Sequence, residues 1–135
     1  MTGLPSRWRE VLVGVALGVV GWLTALAFPP GWRLFLEGAL VAWIGAIYVG
    51  FGLLAPERRS AVIEILVALG MLFGAVIGMV WWPWALTIAL VFHACWDAAH
   101  HDGRITASVP RWYPSFCAAA DLVLAGLFGA LHRTI

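Results

Sequence analysis

Charges and prolines divide the chain into five apolar runs: Val11 to Phe28, about Leu34 to Leu54, Ala61 to about Trp82, Trp84 to about His101, and about Ser115 to His132. A helix needs about 17 to 25 apolar residues to cross the ~30 Å hydrocarbon layer of a bilayer. Each run is therefore expected to be a transmembrane helix, with the fifth the shortest. Pro29, Pro30 and Gly31 end the first run, Pro56 closes the second and Pro83 separates the third from the fourth, because proline cannot continue a helix. Three of the connections are tight, at Pro29 to Arg33, Ala55 to Ser60 and the Trp81-Trp82-Pro83-Trp84 corner. Short connections impose antiparallel neighbours. Only Asp102 to Pro114 is long enough to have a structure of its own, and its Arg104, Arg111, Trp112 and Tyr113 suit the headgroup level.

Composition agrees with this pattern. Of 135 residues, 63% are hydrophobic and 11% charged, against about 45 to 50% and roughly 25% in soluble domains. The expected class is an all-α integral membrane bundle forming one domain over residues 1–135, with the bilayer as its main partner. A net charge of +1, from eight arginines against seven acids, excludes the dense basic surface that nucleic acid requires. Most of the nine tryptophans, among them Trp8, Trp32, Trp81, Trp82, Trp84 and Trp112, fall at the ends of runs, as the interfacial aromatic belt expects.

Arginine also predicts orientation, because cytoplasmic loops carry the basic excess. Five crossings put Arg7, Arg9, Arg58, Arg59, Arg104 and Arg111 on one side and Arg33 and Arg133 on the other. That places the chain in a bacterial inner membrane with its N-terminus inside and its C-terminus outside. Arg7, Arg9 and the first apolar run, ending near Ala25-Leu26-Ala27, have the outline of a signal peptide; the length of the run reads instead as a signal anchor.

Glycines predict where helices touch. Gly14 and Gly18 on the first span, and Gly70, Gly74 and Gly78 on the third, recur at intervals of four, a spacing that lets backbones approach closely in lipid. The third-span set is expected to be either a seam within the bundle or the face of a homo-oligomer.

Ionisable side chains inside a span cost about 2.5 to 3.5 kcal/mol each on insertion scales, which makes each a functional candidate. His93, Asp97, His100 and His101 follow i, i+4, i+7, i+8 spacing on the fourth span and so share an arc of about 100° on one helix face. At 1.5 Å per residue, Asp97 lies about 6 Å and His93 about 12 Å inward of His101. Asp121 on the fifth span and Glu64 on the third fall at comparable depths, with Glu64 near the level of His101. Imidazole and carboxylate at i, i+3 or i+4 can share one metal ion. The candidate ligands are therefore His93, Asp97, His100, His101 and Asp121, with Asp97 and Asp121 also candidate catalytic acids or bases, and Zn, Fe or Mn the candidate cofactor. The competing expectation is a hydrogen-bonded network from His through Asp to Arg104 or Arg111. Among the remaining polar residues, Glu37 is expected to pair with Arg33 one turn earlier, Cys95 to face away from the stripe, Cys117 to share a face with Asp121, and His132 to have no role.

The string His93-x3-Asp97-x2-His100-His101, followed by Pro110-x-Trp112-Tyr113-Pro114-x2-Cys117-x3-Asp121, resembles the signature of a small bacterial multi-pass membrane family whose function is unknown. Asp97-x2-His100-His101 is also similar to half of a histidine box in membrane di-iron desaturases and hydroxylases, which build their sites from several such boxes; this chain has four His in all. The mixture of Ser, Asp and His is similar in residue types to membrane zinc hydrolases of the ceramidase kind. Three classes of function follow. One is a metal-dependent enzyme acting on a lipid or other apolar substrate. The others are an ion- or proton-handling binding or transport protein, and a structural membrane subunit.

Overall fold

The computed structural model describes residues 6–101 and 107–134. Arg104, assigned above to the cytoplasmic side and to a possible network, lies outside them. The described chain forms five α-helices: α1 (Ser6–Leu26), α2 (Pro30–Leu54), α3 (Arg58–Val80), α4 (Trp84–His100) and α5 (Tyr113–His132). Among the described residues there is no strand. Four helices, all but α4, are long and apolar enough to cross a membrane.

The breaks fall at the prolines. Pro30 opens α2 in its first turn, where a missing N–H costs nothing. Ala55 turns to φ −71°, ψ 145°, the extended backbone that a following proline imposes. The expectation that the fifth span is the shortest is corrected. Pro114 is accommodated in the first turn of α5, which therefore starts at Tyr113 and runs 20 residues, whereas α4 has 17, a rod of about 26 Å.

Successive helices alternate in direction. Gly52 of α2 faces Ala61 and Glu64 of α3, and Gly45 faces Met71 farther along; between α3 and α4, Gly78 faces Leu86 while Gly74 faces Ala89. The packing partners are α2 with α3, α1 with α5, α4 with α5, and more sparsely α3 with α4, α2 with α4 and α1 with α2. The start of α1 and the end of α5 consequently lie at opposite ends of the bundle.

Glycine sets the closest approaches. A Cβ at Gly14 would collide with the carbonyl oxygen of Phe116, and one at Gly18 would sit 2.9 Å from that of Ala120, so α1 and α5 run parallel with their backbones nearly touching. Of the third-span glycines, Gly74 and Gly78 pack against α4 within the chain, whereas Gly70 faces open space. A run of glycines not singled out from the sequence, Gly38, Gly45 and Gly52 at intervals of seven, seats Met79, Met71 and Glu64 of α3 against α2.

The apolar core occupies one half of the bundle and is built from Val41, Met71, Leu86, Leu90, Leu124 and Phe128 among others. Large apolar side chains such as Trp43, Leu66, Phe73 and Ile88 point outward, where hydrocarbon rather than water is the fitting surround.

Candidate functional site

Among the described residues, the buried polar side chains sit in two places, a layered cluster towards the C-terminal end of α4 and a separate group at the opposite end of the bundle. The cluster begins with the α4 stripe. His93, Asp97 and His100 project from successive turns into the bundle, and each is at most 2% exposed. Glycine and alanine around them let α2, α3 and α5 come close enough to present Tyr48, Glu64, Cys117 and Asp121 to the same face.

The deepest layer is formed by α4 and α5. His93 Nδ1 lies 2.7 Å from Asp121 Oδ2 and 3.5 Å from Asp97 Oδ2. Tyr48 of α2 donates its hydroxyl to Asp97 Oδ1 at 2.6 Å. Cys117, one turn before Asp121, completes the group, and its thiol lies 3.7 Å from the Tyr113 hydroxyl. One ligand atom from each of His93, Asp97, Cys117 and Asp121 falls within 4.8 Å of all the others, and all four residues are buried. His93 Nε2, Asp97 Oδ2 and Asp121 Oδ1 are buried with no hydrogen-bond partner.

One turn along, His100 belongs to a different set. Its Nδ1 donates to the Trp96 carbonyl at 2.9 Å, and its Nε2 shares a proton with Glu64 Oε1 at 3.0 Å. The other oxygen of Glu64 accepts from the Trp96 indole N–H at 3.1 Å. Tyr48 joins the two layers, with its ring centroid 5.5 Å from that of His93 and 4.7 Å from that of His100. His101 is exposed, its Nδ1 3.5 Å from Ser115 Oγ.

At the other end, Glu37 Oε2 is 2.8 Å from His132 Nε2, and His132 Nδ1 is 3.3 Å from Thr87 Oγ1. The expected Arg33–Glu37 pair is corrected. Glu37, 1% exposed, is turned into the bundle towards α5, while an Arg33 Nη reaches the Phe28 carbonyl.

Of the candidate ligands, then, His93, Asp97 and Asp121 converge, His100 pairs with Glu64, and His101 sits outside. Glu64 is a neighbour of His100 rather than of His101. Cys117 joins the cluster on the face it was expected to share with Asp121, and Cys95 is exposed. Arg111, the described member of the expected arginine network, is also exposed. Sequence reasoning missed Tyr48, Trp96 and His132. For Tyr48 a signal existed: it lies between Gly45 and Gly52, the face of α2 that must be packed, and away from either interface, where a tyrosine hydroxyl needs a partner. Comparison with protein-family models, curated proteins and solved structures returns no match.

Proposed function

We propose that this chain is a membrane protein built around one transition-metal ion held by His93, Asp97, Cys117 and Asp121. The observation that supports this reading is the coincidence of four buried ligand groups with three buried polar atoms that make no hydrogen bond, in one cluster. Buried polar atoms without partners are rare because each costs about 1 to 3 kcal/mol. The spacing fits. Ligand atoms around a tetrahedral zinc lie roughly 3.3 to 3.8 Å apart, and these come within about 1 Å of that. A thiolate beside imidazole and carboxylate favours Zn or Fe over Mn. Held by all four groups the ion would be closed, and Lewis-acid chemistry on an apolar substrate would require one carboxylate, Asp97 or Asp121, to leave it and serve as base. Tyr48, holding Asp97 Oδ1, would aim Oδ2 at the ion. Metal analysis of protein purified without chelators tests the reading: about one equivalent of Zn or Fe per chain is expected, and a metal-free preparation that also fails to take up added Zn or Fe would overturn it.

A second reading, ion handling, is favoured by the Glu64–His100 pair, which continues the polar layers from the centre towards the end of α4. There, Glu64→Gln should slow loading without changing the final stoichiometry. For orientation, we place this end of the bundle in the cytoplasm on the arginine asymmetry. A reporter fused after residue 135 should read periplasmic, and one inserted between residues 102 and 114 cytoplasmic. Two cytoplasmic readings would contradict the placement.

A further inference from the structure

The group at the far end of the bundle has a chemistry that the metal centre does not use. Glu37, His132 and Thr87 come from three different helices and form a chain of carboxylate, imidazole and hydroxyl with links of 2.8 and 3.3 Å. The carboxylate and imidazole are buried, at 1% and 6% exposure, whereas Thr87 is partly exposed. This is the order of groups by which an acid orients a histidine and the histidine activates a hydroxyl nucleophile, and such links are commonly looser before substrate binds.

The hydroxyl does not face a blank wall. Thr87 lines a groove of about 430 Å³ between α4 and α5, together with Trp84, Leu122, Gly126, Gly129 and Arg133. The groove runs along the outward, lipid-facing surface, where Leu122 is 56% exposed. Its floor is made of small residues, and nothing lies within 4 Å of a Cβ placed on Gly126. Thr87 is three residues, about 4.5 Å along the axis, from Trp84, in the cluster of Trp81, Trp82 and Trp84 that marks the interface. That is the depth at which the ester linkages of glycerolipids sit, just below their headgroups. Arg133, at the rim, is placed to meet an anionic headgroup.

We propose that Thr87, His132 and Glu37 form an acyl-transfer site for the ester of an anionic glycerolipid lying in this groove. With the Nε2 proton donated to Glu37, His132 Nδ1 accepts the Thr87 proton as Oγ1 attacks the ester carbonyl. The carbon–oxygen bond to the glycerol then breaks, and the departing alkoxide takes that proton from His132. This leaves an alcohol and an acyl-threonine ester, and water, activated by the same histidine, releases the fatty acid and restores the hydroxyl. Atoms and protons balance without any other reactant. The site shares no residue with the metal centre, so the two proposals stand or fall separately.

A long-chain alkyl fluorophosphonate tests it on the intact protein in liposomes. Thr87 Oγ1 should displace fluoride from phosphorus, so that the phosphonyl adduct is found on the Thr87 peptide by mass spectrometry. Thr87→Val keeps the side-chain shape and should abolish labelling, while Thr87→Ser should keep it. His132→Gln should slow labelling by about 10²- to 10⁴-fold, the usual range for loss of a general base. Gly126→Leu, which fills the groove without touching the three residues, should reduce labelling by the long-chain probe more than by a short-chain one. Wild-type protein that takes no label, label on another residue, or an undiminished rate in His132→Gln would overturn the proposal.

Discussion

Asp97→Asn and Asp121→Asn are each expected to weaken metal retention by more than about 100-fold, beyond the 10- to 100-fold cost typical of losing a residue that only supports a ligand. Asparagine keeps the size and shape of the side chain and removes a negative charge, so the helices should remain packed and inserted. Tyr48→Phe is the graded comparison. It removes the hydroxyl that holds Asp97 Oδ1 at 2.6 Å but no ligand atom, and should fall within the 10- to 100-fold range. A hydrogen-bonded network with no metal would respond differently. The amides could still hydrogen-bond to His93 and Tyr48 within this 0% exposed site, and there would be no metal content to lose. Metal content and thermal unfolding, measured on the same preparations, separate the two.

His132→Ala is expected to cost about 3 to 5 kcal/mol of stability, the usual penalty for breaking a buried pair by removing one partner. Glu37, 1% exposed, would be left without its 2.8 Å contact. Removing both members, as Glu37→Gln with His132→Gln, should recover most of that loss, because no unpaired group then remains. Arg33→Ala should cost under about 1 kcal/mol, as a part-exposed charge does, since Arg33 is not the group that holds Glu37. If Arg33→Ala proved as damaging as His132→Ala in unfolding experiments, the assignment of Glu37 to His132 would be wrong.

The sequence carried the helices well and the contacts between them poorly, and the reason is physical. Prolines at 29, 30, 56 and 83 end helices by local sterics, so each break could be read from a few residues. The α4 stripe could also be read, because a helix puts i, i+4 and i+7 on one face whatever surrounds it. Which partners meet that stripe depends on how far neighbouring helices rotate and slide, and that is set by glycines and methionines on α2 and α3 with no fixed local signature. The spacing alone therefore groups His100 with the metal candidates, although Glu64 holds it, and it gives no sign that Tyr48 meets Asp97. Glu37 shows the same limit. Arg33 is its neighbour along the helix, but the rotation of α2 turns the carboxylate inward to His132, 95 residues away in sequence. Cys117 and Asp121, both on α5 at i, i+4, were readable as a pair because they needed no second helix.

Cobalt(II) substitution is the most direct test of the central claim, since a metal held by His93, Asp97, Cys117 and Asp121 must carry one thiolate. Protein stripped of metal and titrated with cobalt should bind one ion per chain. The ion should give the visible spectrum of a four-coordinate site, together with a sulfur-to-metal charge-transfer band in the near ultraviolet. In Cys117→Ser that band should vanish, while the visible bands persist at weaker affinity. No saturable cobalt binding, or a charge-transfer band unchanged in Cys117→Ser, would contradict the account.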